Sequence, residues 1–174
     1  MAQGENLSRF ARLVLTNTAL PTGDRTMPDP WWAFKRAIKV APSIDFGMFV
    51  SLGVAQSLPP EVRAAYAAPF PDDSYCAGPR ALPEILPVSP DDPAAEPNRA
   101  AWQTLVSTDL PTLVAFSDGD PLTSALGPIF KRRLPGAKGL RHPVYRGASH
   151  FAPEDAGLEL AKDVVAFIAD TPTR

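Results

Sequence analysis

Two residues in this chain combine the right types and placement for proton-transfer chemistry. Asp120 lies in Ser117-Asp118-Gly119-Asp120-Pro121, and His150 lies in Gly147-Ala148-Ser149-His150-Phe151. A carboxylate beside an imidazole holds one tautomer and stabilises the charged ring. The ring then takes a proton from water or from a nucleophile. Each segment also has a plain reading, because Asp before Pro is common in turns and Asp118 and Asp120 both suit a turn. His142 is the only other histidine. It falls at a strand start and reads as structural, and two histidines at that distance lack metal-ligand spacing. Asn17 ends another apolar run on the same rim as Asp120, where it is a turn residue or a group that orients water or ligand. Cys76 is the only cysteine, so no intrachain disulfide forms. That fits a reducing compartment, and the cytoplasm is the expected location.

The elements that position these residues read as an alternating pattern. Residues 11–17 and 111–117 are short β-branched and aliphatic runs, expected as buried strands, and a third strand is expected at 142–145. Between the first two lie helical stretches at 28–40, with Trp31, Phe34 and Ile38 on one face; at 44–52, with Ser43 as N-cap; at 59–66; and at 98–106. Residues 1–10 read as a helix end and a loop. Prolines crowd residues 69–97, which predicts turns and at most one helical turn. Helices follow at 124–134 and from about 153 onward, the latter with Leu158, Ala161, Val164, Val165 and Ile168 expected on the buried face. Strand and helix in this order imply a parallel sheet, with Asp120 and His150 both at its C-terminal rim, where such sheets collect ligands.

Composition narrows the function. A net charge of -2 over 174 residues advertises no nucleic-acid surface. No apolar run reaches the ~18 residues of a membrane span, and residues 1–10 lack a signal peptide's apolar core. Apolar and charged fractions of 45% and 21% are those of a globular domain. Only proline departs, with 21 residues against a usual share of about 5%.

Residues 113–121 and 147–151 resemble the acid and histidine loops of the haloalkane dehalogenase and epoxide hydrolase branch of the α/β-hydrolases. Arg63-Ala64-Ala65-Tyr66-Ala67-Ala68-Pro69-Phe70-Pro71-Asp72-Asp73-Ser74-Tyr75 narrows this, because it resembles the cap of haloalkane dehalogenases, as do residues 10–18 and the Trp31-Trp32 helix. The resemblance runs from about Asn6 to Ala169. It implies a partial α/β-hydrolase fold: three C-terminal parallel strands with flanking helices (residues 1–24 and 107–174) and a helical cap insertion (residues 25–106). It also implies the chemistry. An aspartate displaces halide from carbon to give an ester, and His150, held by Asp120, activates water to hydrolyse it. A small halogenated organic substrate and water are the implied partners. No cofactor, metal, nucleic acid or membrane is implied. Asn17 then faces the site, and Phe49, Val54 and Trp102 are candidate pocket residues, although core packing explains those three equally well.

The chain departs from that pattern at the nucleophile. It contains neither Gly-x-Ser-x-Gly nor an Asp-Trp pair. The expectation is a chain that starts inside the helix after the nucleophile and is inactive alone. A halide-gripping tryptophan of the cap aligns near Val54, which puts halide binding in question. A central strand left at a sheet edge favours self-association. An esterase or an epoxide hydrolase with Tyr66 or Tyr75 as acid, and a non-enzymatic chain that binds a partner, are the alternatives.

Overall fold

The computed structural model describes residue 7 and residues 9–171, so the helix end and loop expected at residues 1–10 lie largely outside the described residues. Its sheet is parallel throughout. Strand β1 (Leu13–Leu15) pairs with β2 (Thr112–Val114), Leu13 opposite Thr112, and β3 (Phe116–Ser117) pairs with β4 (Val144–Tyr145), Phe116 opposite Val144. Only Ala115 separates β2 from β3, and its N–H still donates to Leu15 O at 2.9 Å. Residues 112–117 therefore form one central path that changes partner from β1 to β4. These are the three parallel strands expected from the sequence; the first is shorter at both ends, and the other two start later and end where expected.

Every residue from Thr112 to Ser117 is buried, as a parallel strand covered on both faces requires. Alternation divides the side chains. Leu113 and Ala115 point to a cluster with Tyr145, Ala148, Ala152 and Phe167, and Val114 and Phe116 to one with Phe130, Leu134 and Ala137. The first cluster is closed by the last helix, α7 (Ala152–Asp170). The second is closed by α6 (Gly127–Arg133) and by α5 (Ala95–Ser107), through Trp102, Leu105 and Val106. Helix α5 thus covers the sheet, although it falls within the 25–106 stretch expected as cap.

The buried face of α7 differs from the expected one. Of the expected residues Val164 does face the core, together with Ala152, Ala156, Leu160 and Phe167, whereas Leu158, Val165 and Ile168 are 66%, 67% and 50% exposed and Ala161 is exposed too. The helix carries two apolar stripes, both at helical spacing, so periodicity alone does not choose between them. The large ring of Phe167 goes with the inner stripe.

Helices α1 (Asp29–Val40), α2 (Phe46–Ser51), α3 (Pro60–Ala67) and α4 (Ala77–Ile85) make the insertion. In α1, Trp31 and Ile38 are buried as the spacing predicts. Helix α2 is capped by Asp45, whose carboxylate accepts Met48 N–H at 2.9 Å, rather than by Ser43. Helix α4 is longer than the proline crowding predicts. Pro79 falls in its first turn, where no intrahelical donor is needed, so only Pro83 forfeits a bond. Arg80 ties α4 down, donating to the Ile38 and Ala41 carbonyls at 3.1 Å and pairing with Asp73.

Candidate active site

The acid and histidine loops leave adjacent strands and are stitched together by backbone. Asp118 N–H donates to Tyr145 O at 3.2 Å and Gly119 N–H to Ala148 O at 3.0 Å, while Gly147 N–H donates to the Asp118 carboxylate at 2.7 Å. Gly119 permits this approach, because a Cβ there would lie 2.7 Å from Ala148 O. Gly147 makes its turn with φ of +74°, a conformation open to glycine.

Asp120 is 1% exposed behind these loops. Its Oδ1 accepts Leu122 N–H at 2.8 Å; its Oδ2 accepts the Thr123 hydroxyl and lies 3.0 Å from His150 Nδ1. Burial pushes the carboxyl pKa up, but the bonds from His150, Thr123 and Leu122 together outweigh it and hold the group below its ordinary value. An ionised Asp120 accepts Nδ1–H, which leaves the Nε2 lone pair of His150 to take a proton. The His150 side chain is 30% exposed, so that nitrogen sits in a ring open to small molecules. Asp118 makes no contact with His150; it serves the turn at Gly147.

Asn17, with φ of 34°, is committed to the protein. Its amide donates to Ser117 Oγ, Ser149 O and His150 O at 2.6–2.9 Å, and its Oδ1 accepts Ser117 N–H at 2.9 Å. It braces the backbone of His150 from β1 and has no donor left for a ligand. Phe49 packs against Phe34 in the cap, ring centroids 5.3 Å apart. Val54 borders a cavity of about 250 Å³ with Ser51, Leu58 and Arg63. Trp102 stacks on Phe130, donates its indole N–H to Leu20 O and borders a larger cavity of about 390 Å³. That cavity meets the acid loop only at Pro121 and Leu122, and neither Asp120 nor His150 forms its wall. Residues the sequence reading passed over are Thr123, three positions after the acid at turn spacing, and Asp155, which no motif singles out.

His142 is a half-buried spacer. Its Nε2 lies 2.8 Å from Ala137 O and its Nδ1 accepts Val114 N–H at 3.2 Å, which fits a neutral ring protonated at Nε2. Burial lowers its pKa, against the Ala137 carbonyl and with the help of the Lys131 charge. The folded chain therefore binds fewer protons here than the unfolded one. Stability from the neutral ring is complete above the unfolded value of about 6.5 and is lost as pH falls through the lower folded value. Thermal midpoints are expected to drop from pH 7 to pH 5, and His142→Gln to flatten that slope. An unchanged slope in the variant contradicts the assignment.

Among the described residues no three His, Cys, Asp or Glu are placed to hold a metal, and no helix is long and apolar enough to cross a membrane. No family model matches the chain. Individual proteins do. The chain is 40% identical over 168 residues to a haloalkane dehalogenase of Psychrobacter cryohalolentis, covering 97% of this chain and 55% of that protein. It is 43% identical over 164 residues to haloalkane dehalogenase 1 of Mycobacterium tuberculosis, covering 94% and 54%. In sequence the chain is similar to the C-terminal part of these haloalkane dehalogenases. It spans about half the length of these curated relatives. In structure it is similar to the tetrameric haloalkane dehalogenase DpaA of Paraglaciecola agarilytica, with a TM-score of 0.77 at 21% identity over 93% of this chain and 54% of that one. The dehalogenase DbeA of Bradyrhizobium elkani gives 0.72 at 19%, over 92% and 59%. These likenesses show the chain's fold, that of a partial α/β-hydrolase.

Proposed function

We propose that this chain supplies the base, its orienting acid and the cap of a hydrolytic haloalkane dehalogenase. The observation that carries this is the buried, triply held Asp120 against Nδ1 of a half-exposed His150, at the C-terminal rim of a parallel sheet. A carboxylate nucleophile from sequence outside these 174 residues displaces halide and forms an alkyl ester. His150 Nε2 then removes a proton from water as the water oxygen attacks the ester carbonyl. The acyl C–O bond breaks, the alcohol leaves with that proton, and the carboxylic acid left behind gives water's second proton to solvent, which restores the carboxylate. No metal or cofactor enters these steps. The epoxide hydrolase alternative fares worse, because the Tyr66 hydroxyl is held by Glu154, which with burial pushes its pKa to about 12. Phe49 and Val54, on the cap, are proposed to border the substrate; Trp102 and Asn17 serve packing and bracing. The lone, buried Cys76 supports a reducing, cytoplasmic setting. The test joins this chain to the N-terminal part of its Psychrobacter relative and measures bromide released from 1-bromoalkanes. Turnover by the joined protein and none by the 174-residue chain is the expected pair of results. A joined protein that folds but releases no bromide counts against the reading.

We further propose that the chain alone self-associates. Among the described residues β1 pairs on one side only, and its Val14 is 40% exposed. Sedimentation is expected to show mass rising with concentration and to show less of it in Val14→Lys. A monomer at every concentration overturns this.

A further inference from the structure

Two consecutive carboxylates at the start of α7 each hold an element other than their own. Glu154 accepts the Tyr66 hydroxyl of cap helix α3. Asp155 accepts Ser149 N–H at 2.8 Å, and its two oxygens take Ala55 N–H at 2.9 and 3.0 Å. Ser149 precedes His150, and Ala55 lies in the loop between α2 and α3, so one carboxylate spans the histidine loop and the cap. A parallel contact lies alongside: Phe151 N–H donates to Gly53 O at 2.9 Å. Gly53 sits so close that a Cβ there would meet two Phe151 ring carbons at 2.6 Å. The Phe151 ring in turn stands edge-on to His150, centroids 5.3 Å apart. Ala156 leaves the helical region immediately afterwards, at φ -140° and ψ 32°. The turn bearing both carboxylates is thereby set off from the body of α7.

We propose that Glu154 and Asp155 form a latch that seats cap loop 53–55 and helix α3 on the histidine loop, which makes both of them positioning residues for His150. Asp155 is the central part. Its charge is shared by backbone donors of two segments 94 residues apart in the chain (Ala55 and Ser149), and charge-assisted bonds of this kind exceed neutral ones. Glu154 adds a hold on α3 one turn further out. For its catalytic consequence the latch rests on His150 being the base; its contacts involve no turnover.

The test is hydrogen exchange by mass spectrometry on the full 174-residue chain, with carbethoxylation of His150 by diethyl pyrocarbonate as a second readout. In Asp155→Ala, exchange at Ala55 and Ser149 is expected to accelerate together by on the order of tenfold. Modification of His150 rises with it, while His142 and the α6 amides keep their rates. Asp155→Asn retains one acceptor oxygen and gives a smaller change at the same two amides. Asp163→Asn, on the same helix but paired with Arg141 and Tyr145, changes neither. Unchanged rates at Ala55, a change confined to one of the two segments, or uniform acceleration in both Asp155 variants overturns the latch. Failure of bromide release in the joined protein leaves these exchange results as they are, so the two readings fail separately.

Discussion

Bromide is expected to appear once per enzyme molecule, and no alcohol at all, when His150→Phe is made in the protein joined to its relative's N-terminal part. The ring of His150 has one nitrogen on Asp120 and the other open, so its task falls in the step that needs a proton removed from water. Halide displacement needs only the nucleophile and a bound substrate. Phenylalanine keeps the volume beside Phe151 but offers no lone pair. The ester therefore forms and persists, visible by mass spectrometry as an alkyl group added to the joined part. Loss of a general base costs on the order of 10²–10⁴ in rate for the step it serves. Continued turnover by the variant would remove His150 from the mechanism, and a variant that releases no bromide at all would place it in the first step instead.

The second large effect is expected at Asp120→Asn. The two side chains have the same shape, so the loops stitched through Gly119 and Gly147 stay in place. The change is in what faces His150. An amide NH₂ turned toward Nδ1 requires Nδ1 to accept, which puts the ring proton on Nε2, where the water must be deprotonated. Turning the amide round instead leaves NH₂ against Leu122 N–H, which needs an acceptor. The first arrangement gives up both bonds that Oδ2 accepts, from Thr123 and His150, and the second gives up the bond from Leu122. Ester hydrolysis is expected to fall by on the order of 10⁴, the size found for the same change in a serine-protease triad. Stability is expected to fall by about 1–3 kcal/mol, the cost of leaving a buried polar group unpaired. Asp118→Asn supplies the contrast. Asp118 is exposed and serves only Gly147 N–H, so its loss is expected to change hydrolysis less than tenfold. Equal losses at the two positions would show that Asp120 acts on the loops rather than on His150.

Those two residues were legible in the sequence because each follows an apolar run and sits in a small-residue loop. Strands exposed to helices on both faces must be apolar throughout, so residues 112–117 are hard to misread. The cap helix at residues 29–40 was legible for a similar reason, since Trp31 and Ile38 have no other place to go. What spacing does not carry is choice between equivalents. The outer and inner stripes of α7 differ in partner rather than in period, and the partner is a sheet built from distant segments. Asp45 and Ser43 are both capping residue types two positions apart, and which of them caps α2 depends on where the chain turns. The brace at Asn17 and the span of Asp155 were illegible for a stronger reason. Both act through backbone groups 132 and 100 residues away, and backbone groups leave no trace in residue type.

The register of the sheet also has a consequence for how the chain is made. Leu13 lies opposite Thr112, so the β1–β2 pairing waits until nearly the whole insertion has been synthesised. At ~5–20 residues per second that interval is roughly 5–20 s. Helices α1 to α4 between them pack on one another and form in microseconds once their sequence is available. The cap helices therefore assemble before β1 meets β2, and closing that pair is the late, slow event that long-range parallel pairing imposes. During that delay the edge of β1 that faces β2 stays open, which makes it a segment on which holding chaperones are expected to act.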